Sequence, residues 1–215
     1  MKKINLKILF VIYFLFFANA SAACSKAKVS AVTENKISLE ELEKSVDKDD
    51  FKKVFDEYKV EGCFVLYDKK ENKFIRYNAK RCAKRFTPAS TFKIPNSLIA
   101  LETGVIKDEN EILKWDGVKR DRAEWNKDQT LDSAFEFSAV WFYQEIARRV
   151  GEERMKKYVN DFAYGNRDVS GGIDQFWLRG NLRISPDEQI TFLREVYENK
   201  LPVSARSIEI LKKIM

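Results

Sequence analysis

A serine and a lysine three residues apart, Ser90 and Lys93, stand in the stretch Arg85-Phe86-Thr87-Pro88-Ala89-Ser90-Thr91-Phe92-Lys93-Ile94-Pro95. A serine hydroxyl attacks a carbonyl only when a neighbouring base takes its proton. If Ser90 opens a helix, its hydroxyl lies at the positive end of the helix dipole, and Lys93 falls one turn on along the same face. The chain has no histidine, so a Ser-His-Asp triad is excluded and the base must be lysine, a carboxylate or tyrosine. Alone, Ser-x-x-Lys is most often a helix cap followed by a solvated lysine. Here Phe86, Phe92, Ile94 and the run Leu98-Ile99-Ala100-Leu101 wrap the pair in apolar residues, which points Lys93 inward. A buried lysine with no carboxylate beside it loses affinity for its proton and becomes a base.

The elements that must position this pair follow from the patterning. Residues 1–22 read as an export signal: Lys2, Lys3 and Lys7, the apolar run from Ile8 to Phe17, then small residues from Ala18 to Ala23. The run is too short for a stable membrane span. Cleavage after Ala20 or Ala22 would leave an exported chain, periplasmic or secreted. Cys24 leaves lipoprotein-type acylation as the alternative. The remaining 23–215 suffice for one domain with a substantial core. Removing the three signal lysines from 39 basic residues leaves 36 against 33 acidic ones, a net of +3. That small excess, scattered among mixed-sign segments, argues against a nucleic-acid partner. No metal-type ligand spacing occurs. Cys63 and Cys82 could pair across a hairpin in an exported chain.

Ser38 with Glu41 forms a capping box and predicts a helix to about Tyr58. Val60–Asp68 and Lys73–Tyr77 read as strands of a hairpin, and 78–85 as a basic loop. The helix from Ser90 carries Pro95, which predicts distortion near the lysine, and stops at Gly104. Residues 105–132 read as loop, with Trp115 and Trp125 covering apolar surface. The spacing of Ala134, Phe135, Phe137, Val140, Trp141, Ile146 and Val150 predicts one helix from Ser133 to Gly151. A helix over 152–162, a turn-rich loop over 164–172, and a helix from Ser185-Pro186-Asp187-Glu188 to about Asn199 follow. A last helix spans 205–215. With one hairpin for so many helices, the sheet is short of strands, and the chain reads as incomplete at its C-terminus.

Three downstream groups complete a pattern: Ser138-Ala139-Val140, Tyr164-Gly165-Asn166 and Phe176-Trp177-Leu178. With Pro88–Lys93, and with Leu101–Ile106 and Ser170–Asp174, they resemble the class D serine β-lactamases, the oxacillinases, in order and spacing. The resemblance implies an α/β (α+β) fold of the penicillin-binding transpeptidase type: an antiparallel sheet flanked by helices, with a helical subdomain. It implies that Ser90 attacks the amide carbonyl of a small-molecule β-lactam, and that Lys93 is carboxylated by CO2 (bicarbonate) to act as base, with no other cofactor and no metal. Ser138 would relay a proton to the leaving nitrogen. Val140, Trp177 and Leu178 would wall the pocket, with the Trp177 indole N–H on the carbamate. Tyr164 and Asn166 would shape a loop, and Trp125 would stand at the rim. The family's third motif, Lys-Thr/Ser-Gly, does not follow Trp177 before residue 215, and the C-terminal strands that carry it are expected to be missing. A penicillin sensor that acylates without turnover, a DD-peptidase, or an inactive truncated product are the competing readings. A DD-peptidase would usually carry Ser-x-Asn where Ser138-Ala139-Val140 stands.

Overall fold

A computed structural model describes residues 46–47 and 50–215. The segment 1–22 expected to direct export, Cys24 and the first part of the helix expected from Ser38 lie outside the described residues. Strand β1 (Val46–Asp47) occupies positions expected to be helical, and among the described residues helix α1 spans Asp50–Glu57. The reason is long-range: β1 pairs in parallel with β3 (Lys73–Tyr77), placing Val46 opposite Ile75. At Val46 and Asp47 a ladder partner outweighs the local helical preference.

Strand β2 (Phe64–Asp68) pairs antiparallel with β3, with Leu66 opposite Ile75, so the expected hairpin forms around the turn 69–72. The sheet order is β1-β3-β2. Residues 78–85, expected as loop, contain a four-residue helix α2 (Ala79–Cys82), whose first turn is closed by the Asn78 side chain accepting from Arg81 N–H. The Cys63 and Cys82 thiols are free. The Cys82 Sγ lies 3.4 Å from both the Phe64 and the Tyr77 carbonyl oxygens.

Helix α3 (Lys93–Glu102) runs through the hydrophobic core of the described residues. Every residue from Pro95 to Leu101 is buried, as expected of a helix apolar on all faces. It packs against α5 (Val140–Val150) and α8 (Ala205–Ile214). Helices α4 (Leu131–Phe137), α6 (Glu152–Asp161) and α7 (Pro186–Tyr197) complete the shell. Their starts follow local chemistry. Thr130 and Ser133 cap α4 reciprocally, and Ser185 and Glu188 do the same for α7, with Pro186 as its first residue.

The sheet is fastened to α7 by a buried ion pair. Arg76 Nε donates to Asp187 Oδ1 at 2.9 Å, with the two side chains 1% and 6% exposed. The Arg76 guanidinium also lies 4.3 Å from the Phe74 ring centroid. Burial pushes the Asp187 carboxyl above its ordinary value, and the Arg76 charge pulls against that shift.

Among the described residues, no helix is long and apolar enough to cross a membrane, and no cluster of His, Cys, Asp and Glu could hold a metal ion.

Candidate active site

The turn that carries Ser90 is a 3-10 helix over Ala89–Phe92, which passes into α3 at Lys93. Ser90 is therefore the second residue of a tight turn, and the α-helix opens three residues after it. Pro95 falls in the first turn of α3, where a missing N–H leaves no intrahelical bond unmade. The change from 3-10 to α winding falls at Lys93, two residues before Pro95.

Ala89 is held at φ +47°, a left-handed conformation that costs a residue with a Cβ roughly 1–2 kcal/mol. Neighbouring bonds hold it there. Ala89 N–H donates to the Trp177 carbonyl at 3.0 Å, and Phe86 and Ile184 exchange backbone bonds of 2.9 and 2.8 Å. Such strain persists only where surroundings over-determine it, and here it presents an exposed Ser90 at the mouth of a pocket.

Lys93 turns inward. Its Nζ donates to the Phe135 carbonyl at 2.8 Å and to Ser138 Oγ at 3.1 Å, and lies 4.2 Å from the Phe135 ring centroid. Both bonds need only the two N–H groups that a neutral amine keeps. Among the described residues no carboxylate forms an ion pair with it. Burial lowers its pKa below the ordinary lysine value, the direction a base requires.

Ser138 reaches Lys93 because a helix breaks. The single helix expected from Ser133 to Gly151 is two, α4 and α5, separated by Ser138 at φ +50°, ψ +48° and an extended Ala139. Apolar periodicity runs through the break because both helices turn their apolar faces to one core, so the spacing alone does not reveal it. Ala139 N–H bonds to the Ala134 carbonyl instead of Phe135. The Phe135 carbonyl, near the C-terminus of α4, receives only the longer 3.3 Å bond from Ser138 N–H and has a lone pair left for Lys93. Trp125 braces the same break from outside the pocket, its indole N–H donating to the Phe137 carbonyl at 3.0 Å, while Trp141 donates to the Trp125 carbonyl at 2.9 Å.

Ser90, Lys93, Ser138, Val140, Trp177 and Leu178 line one pocket, joined by Tyr143. Sequence reading missed Tyr143. Its signal was present, since it stands three residues beyond Val140 on the same helix face. Tyr143 is buried beside Ser97, with the two hydroxyls 3.2 Å apart, and burial drives its phenol pKa up. Trp177 is 3% exposed and stacks on Phe92 with ring centroids 5.3 Å apart. Its indole N–H makes no hydrogen bond within the described residues.

Three expected site residues lie off the pocket. Trp125 supports the break, as above. Tyr164 is buried edge-on against Phe92 and Phe192. Asn166 pins its loop to the segment before α7, its side chain donating to the Asn181 carbonyl at 2.8 Å and accepting from Arg183 N–H at 2.9 Å. Between them Gly165, at φ +55°, approaches the Arg183 carbonyl so closely that a Cβ would lie 2.1 Å from its oxygen. Only glycine fits there.

Residues 62–215 match the family of the penicillin binding protein transpeptidase domain. The chain is 53% identical over 161 residues to β-lactamase OXA-48 of Klebsiella pneumoniae, and 48% identical over 163 residues to the probable β-lactamase YbxI of Bacillus subtilis (strain 168). Each alignment covers 75% of this chain and 61% of the relative. Identity to β-lactamase OXA-10 of Pseudomonas aeruginosa is 43% over 202 residues, covering 93% of this chain and 71% of that one. Among solved structures, the class D β-lactamase from Sebaldella termitidis superposes with a TM-score of 0.77 at 46% identity, over 80% of this chain and 69% of that one. FUS-1 (OXA-85), a class D β-lactamase from Fusobacterium nucleatum subsp. polymorphum, gives 0.76 at 39% identity, over 79% and 70%.

Proposed function

The chain belongs to the class D β-lactamases, and from that premise we propose that it hydrolyses the amide bond of penicillin-type β-lactams through an acyl-ester on Ser90. The observation that carries this reading is the half-buried Lys93 amine, bonded to Ser138 and sharing one apolar-walled pocket with Ser90. Ser90 Oγ attacks the β-lactam carbonyl carbon as Lys93 takes its proton. Ser138, hydrogen-bonded to Lys93, passes a proton to the ring nitrogen as the C–N bond breaks. Water, activated by the same base, then cleaves the ester and frees Ser90. The Ser90 N–H, at the start of a helical turn, supplies one donor to the developing oxyanion.

The site suits a carboxylated lysine: the amine has no carboxylate counter-ion among the described residues, and the Trp177 N–H is without a partner there. Carbon dioxide added to the neutral amine supplies an acceptor of carboxylate type. Export directed by residues 1–22 would place the enzyme outside the cytoplasmic membrane, where hydrolysis confers antibiotic resistance.

A chromogenic cephalosporin tests the reading. Multiple turnover is expected, faster with added bicarbonate, with a rate that rises with pH through a value below that of an ordinary lysine, because burial keeps the neutral amine populated at lower pH. A single stoichiometric burst would instead support a β-lactam sensor of related fold. Failure of a fluorescent penicillin to label Ser90 would overturn both.

A further inference from the structure

The nucleophile turn has a support that the chemistry above does not use. Thr91, the residue after Ser90, is 7% exposed, and its hydroxyl donates to the Pro88 carbonyl at 2.8 Å, closing the 3-10 turn a second time beside the backbone bond from Thr91 N–H to the same oxygen at 3.1 Å. Gln189, in the first turns of α7, donates from Nε2 to Thr91 Oγ1 at 2.5 Å and to the Tyr164 hydroxyl at 3.0 Å. One amide group thus ties three elements separated by 98 and 25 residues in sequence.

The direction of these bonds matters. The Thr91 proton is committed to Pro88, so only a donor can face the Thr91 oxygen, and a side-chain amide has two N–H groups to share between Thr91 and Tyr164. Gln189 is itself fixed. Its backbone N–H donates to the Ser185 carbonyl at 2.9 Å, within the capping box that starts α7. The adjacent Glu188 holds Arg85, at the entrance to the nucleophile turn, by bonds of 2.6 to 3.1 Å.

We propose that Gln189 is a positioning residue for the nucleophile: through Thr91 it locks the Pro88–Ser90 turn in the strained conformation that aims the Ser90 hydroxyl at the pocket. This rests on the β-lactamase reading for its consequence in rate, while the mechanical part stands on the hydrogen bonds alone. Without the amide donor, the Thr91 hydroxyl is free to rotate, Pro88 loses one of its two bonds, and Ala89 relaxes from φ +47°.

The test uses the full chain with Gln189→Met, which keeps length and helix preference but has no donor, and Gln189→Glu, which keeps polarity and likewise cannot donate when ionised. Two readouts are taken. Hydrogen exchange is followed for a peptide covering residues 86–92, which contains the bonded amides of Ala89 and Thr91. The labelling of Ser90 by a fluorescent penicillin is resolved into half-saturating concentration and maximal rate. Expected are faster exchange confined to 86–92, and a maximal rate about tenfold lower with the half-saturating concentration little changed, as for a misaimed nucleophile. In a Thr91→Val background, Gln189→Met is expected to add nothing, since the two act as one unit. Unchanged exchange over 86–92, or fully additive effects of the two substitutions, would overturn the proposal. If the unsubstituted chain does not label, the β-lactam reading fails, and the exchange measurement still decides the role of Gln189.

Discussion

Replacing Lys93 by alanine is expected to lower turnover of a chromogenic cephalosporin by roughly 10²–10⁴-fold, the contribution typical of a positioned general base. No other group in the pocket can take over. The chain has no histidine, the phenol of Tyr143 is held protonated by burial, and Ser138 and Ser90 are alcohols that need a base themselves. Whatever acylation remains would outlast deacylation, so the acyl-ester on Ser90 should accumulate and be seen as a mass increase of the intact protein. Arginine at this position is expected to be no better than alanine, because a guanidinium stays protonated at any pH the fold survives. A Lys93→Ala protein that turns over at an undiminished rate, indifferent to bicarbonate, would contradict the assignment.

The second large effect concerns stability. Asp187→Ala is expected to destabilise the fold by about 3–5 kcal/mol, because it strands the Arg76 charge in the interior. Two of the guanidinium nitrogens, Nη1 and Nη2, already lack a partner within the described residues, and Asp187 supplies the bond to the third. Asp187 also stands in the first turn of α7, where a negative charge suits the helix dipole. For a domain of this size the loss corresponds to a fall in Tm of about 6–20 °C. The combined substitution Arg76→Met with Asp187→Leu is expected to recover most of it, since removing both charges together removes the desolvation cost as well. Thermal melts of the single and double variants check the pair of expectations. A single variant melting with the parent would show that the ion pair contributes little.

The parts of this architecture legible in sequence were those with local causes. Ser185, Pro186 and Glu188 announce α7 because cap, first-turn proline and box glutamate act within four residues. The hairpin is legible from two alternating runs flanking a polar turn. Ser90 and Lys93 stand out by their spacing in an apolar setting, and the wall residues Val140, Trp177 and Leu178 by the family resemblance. What escaped depends on distant partners. The pairing of Val46 with Ile75 puts strand at positions that read as helix. The Arg76–Asp187 contact spans 111 residues, and the Gln189–Thr91 contact 98. The break at Ser138 escaped for another reason: a serine at φ +50° is held by the bonds of its neighbours, whereas glycine or asparagine would have signalled the turn by residue type.

The central claim is that the protein keeps the Lys93 amine uncharged beside Ser90 so that carbon dioxide can convert it into a base. Carbon-13 NMR of the protein equilibrated with labelled bicarbonate tests it most directly. The expected result is one carbamate carbon resonance per chain, absent in Lys93→Ala and lost on acidification as the amine takes up its proton. A spectrum without that resonance, from a protein whose Lys93 titrates as an ordinary exposed lysine, would contradict the account.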